Sequence, residues 1–274
     1  MNKTNNELIN ILITGASRGF GFVFAKELAK QGFNIYAGVR DLNTAEKLIE
    51  LSHEFTNIKV LKLNVLDSLD INSAFERISA DNKKLDILIN NVGYGLVGRF
   101  ESLPLEEIHK QFETNFFSIV HLTQKMFPLL QSSTDGSLLI NISSVASFVG
   151  LPSMMAYSAS KAALDRFSMS IACENIENKL SVASIHPGPY KTSFRESSIK
   201  FGQIPEAKGD FFTSQNNLEE VSALIIKLIN LKRQNKLKAY SEWPIGQKTG
   251  LFHLLCKYIP SSWLVDIISK NLTK

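Results

Sequence analysis

Short apolar runs alternate with amphipathic stretches from residue 8 to residue 186, and this alternation excludes most folds. LINILIT (Leu8–Thr14), FNIYAGV (Phe33–Val39), IKVLKL (Ile58–Leu63), LDILIN (Leu85–Asn90), LLINI (Leu138–Ile142) and LSVASIH (Leu180–His186) read as strands. Phe22–Gln31, Thr44–His53, Ser68–Ala80, Leu105–Leu130 and the run from Ala156 read as the helices between them, the third capped by Asp67 or Ser68. Strands this apolar need cover on both faces, which predicts a doubly wound parallel α/β sheet in one domain. Leu218–Lys232 adds a helix and Leu237–Ser241 a last short strand. Residues 1–245 are expected to form the main domain. Within it the irregular stretch 190–216 is too long for a plain connection and reads as a substrate loop. Residues 246–274 form a C-terminal extension of two amphipathic helices divided by Pro260.

The first strand runs directly into Gly15-Ala16-Ser17-Arg18-Gly19-Phe20-Gly21, which opens the first helix. Glycines let a backbone turn tightly beside a ligand, and a helix N-terminus attracts phosphate oxygens. Strand, glycine loop and helix in that order are what a dinucleotide pyrophosphate needs, so the sheet is expected to be Rossmann-like. The spacing is GxxxGxG, not the generic GxGxxG. Arg40 ends the second strand, and Arg18 stands in the glycine loop. Two guanidiniums suit a 2′-phosphate, which predicts NADP(H) over NAD unless Asp41 neutralises Arg40.

Tyr157 and Lys161 are four residues apart, on one helical face. An ammonium beside a phenol favours the phenolate, and this pair could therefore exchange a proton near neutral pH. The preceding loop offers Ser143, Ser144 or Ser147 as a neighbour. Asn115 sits mid-helix, where asparagine is a poor helix former, so a role is expected for it. Other chemistries find little support. A net charge of +4 without a dense Lys/Arg run does not indicate nucleic-acid binding. Cys173 and Cys256 have no ligand spacing, so neither a disulfide nor a metal site is expected. The N-terminus reads as a first strand, not a leader, and no apolar run is long enough to span a bilayer. A cytoplasmic enzyme is expected.

With these residues in place the sequence resembles the short-chain dehydrogenase/reductase family, over about Leu8 to Thr192. Thr14-Gly15-xxx-Gly19-x-Gly21 looks like its cofactor motif, and Asn90-Asn91-Val92-Gly93 like its NNAG motif with Val92 for Ala. Asn115, Ser144, Tyr157 and Lys161 match its catalytic tetrad, and Pro187-Gly188 with Thr192 its PGxxxT segment. IYAGVRD, NNVGYGLVGRFE and WPIG are similar to the 17β-hydroxysteroid and retinol dehydrogenase branch. The resemblance implies hydride transfer between a nicotinamide and a carbonyl or alcohol, with Tyr157 as general acid/base. Lys161 lowers the Tyr157 pKa, Ser144 stabilises the developing oxyanion, and Asn115 anchors a water. It implies cofactor contacts from Gly15, Ser17, Arg18, Gly19, Phe20, Gly21, Arg40, Asn64, Val65, Asn91, Gly93, Tyr157, Lys161, Pro187, Gly188, Tyr190 and Thr192. Asn64 stands where Asp is usual, and Tyr190 where an aliphatic is usual. Leu96, Phe148, Met154, Tyr190, Phe194 and Phe201, with Ser144 and Tyr157, would frame an apolar carbonyl or alcohol substrate. The long helix and the Tyr157 helix, carrying Phe116, Phe117, Phe167 and Met169, would pair copies into a homodimer or homotetramer. The tail is expected over the substrate cleft or a partner subunit before a membrane surface. The competing function is a non-catalytic NADP-binding regulator on the same fold.

Overall fold

A computed structural model describes residues 8–272, apart from 176, 178, 191, 193, 195, 196 and 203–215. The residues before Leu8, and most of the expected substrate loop including Phe212, lie outside the described residues. Nine strands are described: β1 (Asn10–Thr14), β2 (Asn34–Val39), β3 (Ile58–Lys62), β4 (Ile87–Asn90), β5 (Leu96–Gly98), β6 (Leu138–Ile142), β7 (Ser181–Pro187), β8 (Ile199–Phe201) and β9 (Tyr240–Ile245). Seven form one sheet in the order β3-β2-β1-β4-β6-β7-β9, every neighbouring pair parallel. The doubly wound Rossmann-like sheet is therefore present. The strand order reverses between β1 and β4, and the carboxyl ends of those two strands open the crevice where such sheets take ligands.

The alternation of side chains along each strand builds two cores. Ile11, Ile13 and Ile35 face one way, against Phe24 and Leu28 of α1 (Gly19–Lys30), Leu48 of α2 (Glu46–Glu54) and Ile225 and Leu228 of α7 (Glu219–Arg233). Leu12, Leu88, Leu139 and Val182 face the other way. They meet Ile71 and Ile78 of α3 (Ser68–Asn82), Leu122 and Met126 of α5 (Ser118–Gln131), and Ala172 of α6 (Met155–Glu174). Asp67 is the cap of α3, its carboxylate accepting from the Leu69 amide at 2.9 Å.

Three elements differ from the sequence reading. The expected single helix over Leu105–Leu130 is continuous but irregular. After α4 (Leu105–Phe112) one π turn, Glu113–Phe117, precedes α5, and fully buried Asn115 lies inside it. Its amide bonds to neighbouring groups account for that irregularity, and π turns gather at functional sites. The three-residue strands β5 and β8 form a separate parallel pair that carries no periodic signal of its own. The last strand lies at Tyr240–Ile245, three residues later than expected. It forms the sheet edge on β7, where Pro244 is tolerated. The tail forms α8 (Thr249–Tyr258) and α9 (Ser261–Leu272) on either side of Pro260, as read. Phe117 at the end of the π turn and Met169 on α6 remain exposed. No described helix is long and apolar enough to cross a membrane.

Candidate active site

The glycine loop turns at the carboxyl end of β1. Gly15 has φ +67°, a region only glycine enters freely. A Cβ at Gly21 would lie 2.3 Å from the Gly15 carbonyl oxygen and 2.7 Å from Asn91 Nδ2, so α1 can start this close to the loop only with glycine there. The loop is tied to both neighbouring strands. The Ala16 amide donates to the Gly38 carbonyl (2.9 Å). Asn91 Nδ2 donates to the Thr14 and Gly15 carbonyls (2.9 and 3.2 Å), while Thr14 Oγ1 accepts from the Asn91 and Val92 amides. Asn91 thus fixes the loop from across the strand-order reversal. The first turn of α1 has no acidic residue and its N-cap, Arg18, makes no side-chain capping bond. Its amide ends are accordingly suited to an anion.

Arg18 and Arg40 are both exposed at this end of the sheet. Asp41 does not neutralise Arg40: its carboxylate accepts from the Asn43 amide at 2.9 Å and caps the turn at Leu42–Thr44. Arg40 has no ion pair among the described residues. Asn64 and Val65 follow β3. The Asn64 amide donates to Asp70, which Lys62 also binds, and Asn64 Oδ1 accepts from the Leu66 amide.

Tyr157 and Lys161 are buried on the first turns of α6, with Asn115 behind them. Lys161 Nζ donates to the Ile142 carbonyl at the end of β6 (2.8 Å). A Cβ on Gly93 would stand 3.3 Å from both Lys161 Nζ and Asn115 Oδ1, so the glycine lets these two groups close around one point of the backbone. Asn115 Nδ2 donates to the Tyr94 carbonyl and to Ser160 Oγ, and its Oδ1 accepts from the Tyr94 amide.

The three candidate serines separate. Ser144 interacts with the Tyr157 phenol, whereas Ser143 and Ser147 act on Asp165. Burial pushes the Tyr157 phenol up to about 12, and only the Ser144 hydroxyl opposes it. Burial drives Lys161 down to about 8, against the attraction of Asp165 one turn on. The expected lowering of Tyr157 by Lys161 is therefore absent in the protein by itself. Desolvation penalises the charged form of both groups and outweighs their spacing.

The expected pocket residues have different fates. The Phe194 ring lies 5.5 Å from that of Tyr157. Met154 is half-buried just before α6. Leu96 and Phe201 pack together in the small β5–β8 pair with Leu103 and Ala156. Tyr190 is buried against Phe20, edge on at 5.1 Å, with its hydroxyl toward Glu220. Phe148 stacks on His253 and lies tilted against His186, both at 4.4 Å, and lines a cavity of about 450 Å³ with Asp165, Glu242 and Cys256. Pro187 ends β7, and Gly188 and Thr192 follow it; the Gly188 amide donates to the Ile245 carbonyl and Thr192 Oγ1 accepts from the Phe194 amide. Ser17, Phe20 and Gly19 lie in or beside the glycine loop. Sequence reading missed the buried pair Asp165–His186 (3.1 Å), whose members are too far apart in the chain to signal each other.

The short chain dehydrogenase family model matches residues 10–201. A probable short-chain type dehydrogenase/reductase of Helicobacter pylori, VdlC, is 33% identical over 92% of this chain and 93% of its own. A 3-ketodihydrosphingosine reductase of Bacteroides thetaiotaomicron is 33% identical over 77% of this chain and 76% of its own. Among solved structures, a short chain dehydrogenase from Burkholderia cenocepacia in complex with NADP superposes with a TM-score of 0.75. It covers 96% of this chain and 98% of its own at 22% identity. The family match takes in the glycine loop, the asparagine that ties it down and the Tyr157–Lys161 helix, and the chain belongs to the short-chain dehydrogenase/reductase family of oxidoreductases.

Proposed function

We propose that this protein is an NADP(H)-dependent reductase or dehydrogenase that interconverts a carbonyl and an alcohol on an apolar substrate. The observation that carries the reading is the Ser144 hydroxyl against the Tyr157 phenol, with Lys161 one turn on along the same helix and its Nζ beside Gly93, just past the end of β4. The residues present fit the cofactor. The close approach at Gly21 leaves room for backbone but not side chain, and free helix amides with Arg18 and Arg40 suit phosphates. Gly15, Ser17, Gly19, Asn91 and Gly93 would hold it from the loop side, Pro187, Gly188 and Thr192 from β7. When bound, the cofactor supplies or accepts the hydride.

The chain's own part is proton transfer and charge stabilisation. Tyr157 Oη gives its proton to the carbonyl oxygen on reduction and takes it back on oxidation. A phenol held near about 12 is a poor proton donor and is hardly ionised near neutral pH, so proton transfer requires the Lys161 charge to favour the phenolate once substrate and cofactor close the site. Lys161, at about 8, keeps most of that charge at neutral pH. Ser144 donates to the same substrate oxygen and stabilises its developing charge. Asn115 fixes the Tyr94 backbone by two hydrogen bonds, is itself held by a third to Ser160, and so holds the wall beside Lys161. An apolar substrate is supported by the Phe194 ring over Tyr157 and by half-buried Met154. The relative named as a 3-ketodihydrosphingosine reductase supports it as well.

Tyr157→Phe tests the reading. It removes the proton donor alone, so turnover of a ketone panel with NADPH should fall by about a hundredfold to ten-thousandfold. NADPH binding, followed by fluorescence, should be retained. A variant that turns over like wild type overturns the assignment.

A further inference from the structure

The tail rests on the protein by one face only. On α8, Thr249 is buried, and Phe252, His253 and Cys256 are half-buried toward β9 and the turn at Val145–Ser147. On α9, Leu264 and Ile268 are buried. The opposite face of α8 carries Leu251, Leu254, Leu255 and Tyr258, all exposed, with Tyr258 at 74%. Their spacing of three, four and seven residues makes one stripe along the helix. Beyond Pro260, Trp263, Val265 and Ile267 are exposed as well, Trp263 at 66%. Single exposed leucines are ordinary, but among the described residues seven of the seventeen large exposed hydrophobics fall between residues 251 and 267.

Beside the α8 stripe the charge has one sign, whereas on α9 exposed Asp266 lies between Val265 and Ile267. No acidic residue occurs between Glu242 and Asp266, and Lys248 and Lys257 are exposed beside that stripe. We propose that α8 lies flat on a bilayer with anionic headgroups, the leucines among the acyl chains and Lys248 and Lys257 at the phosphates, with Trp263 at the start of α9 beside it. Helices with a bare apolar face and flanking cations bind in this way, and Tyr258 and Trp263 are the aromatic types that settle at the interface. A second copy seated on the α8 stripe by two-fold symmetry would bring Lys248 and Lys257 up to a helix that carries no carboxylate. Anionic lipid answers both the apolar stripe and the charge.

Sedimentation of the full chain with vesicles tests this without any measurement of turnover, so it stands or falls apart from the active-site reading. With mixed phosphatidylcholine and phosphatidylglycerol the chain should pellet, and with phosphatidylcholine alone it should stay in solution. Leu254→Glu should abolish pelleting, and Leu251→Gln should weaken it. Both sites are exposed, and an unchanged thermal melt checks that each variant is folded. Replacing Lys248 and Lys257 together with Ala should weaken binding by roughly twentyfold to thirtyfold, from about fivefold per lysine. Failure to pellet with either vesicle overturns the proposal, as does equal pelleting of Leu254→Glu or equal binding to the neutral vesicle. A concentration-dependent dimer that Leu254→Glu dissolves, with no vesicle binding, would assign the stripe to a second copy instead.

Discussion

Gly21→Ala puts a methyl group where the glycine loop and α1 come closest. The new Cβ would stand 2.3 Å from the Gly15 carbonyl oxygen and 2.7 Å from Asn91 Nδ2. The first is backbone, and the second is held by bonds to the Thr14 and Gly15 carbonyls, so neither can swing aside cheaply. Relief requires the start of α1 to move by about 1 Å, since non-bonded atoms settle near about 3.5 Å. Such overpacking costs about 3 kcal/mol at the upper end. Alanine's better helix propensity returns about 1 kcal/mol. The net loss of about 2 kcal/mol should lower Tm by roughly 4–8 °C in a domain of this size. The same movement shifts the amides proposed to hold the cofactor phosphates. Loss of one charge-assisted bond, about 1.5–3 kcal/mol, should raise the NADPH Kd by about tenfold or more. Gly32→Ala is the control. Gly32 has φ +80° with nothing within 4 Å of a Cβ, so it strains the backbone between α1 and β2 without touching the loop. It should cost about 1–2 kcal/mol and leave the Kd alone. Thermal melts and NADPH fluorescence titration of both variants decide the matter. If Gly21→Ala binds NADPH as tightly as Gly32→Ala does, the loop is not the phosphate cradle and the argument from close approach fails.

Further outcomes follow from the site. Ser144→Ala should impair turnover far more than Ser143→Ala, because Ser144 meets Tyr157 while Ser143 meets Asp165; steady-state kinetics showing the reverse ranking would reassign the serine. Arg40→Asp should weaken NADPH and improve NADH by roughly tenfold to a hundredfold, since Asp41 is committed to its turn and leaves Arg40 unneutralised. Equal wild-type use of NADH and NADPH would remove Arg40 and Arg18 as readers of the 2′-phosphate. Burial lowers Lys161 to about 8, so its ammonium is present below that pH and lost above it. A kcat profile for reduction should therefore fall as pH rises through about 8, and a profile flat up to about 10, the ordinary lysine and tyrosine range, would show that this charge is not needed.

The sheet was legible because its signal is local: β1, β2, β4 and β6 are apolar runs followed by glycine or polar breaks, and their order fixed the helices between them. The meeting of the Gly15 loop with Asn91 was legible by the same reasoning, since each follows a strand end on the same edge of a parallel sheet. What escaped is set by partners distant in sequence. β5 and β8 are three residues each and exist only through one another, a hundred residues apart. The π turn at Asn115 is fixed by Tyr94 and Ser160, neither of which belongs to its own helix. The charge states escaped most completely. From spacing, Lys161 is a cation placed to ease the proton from Tyr157. In the fold, both groups are buried, and burial raises the phenol while lowering the amine, so each is pushed toward its neutral form. Helical spacing sets which two groups share a face. How costly their charges are depends on what closes over that face: the Ile142 carbonyl that accepts from Lys161, the Gly93 backbone beside it and the Phe194 ring over Tyr157. Ile142 ends β6, Gly93 follows β4 and Phe194 lies between β7 and β8, and no window of the sequence around Tyr157 contains them all.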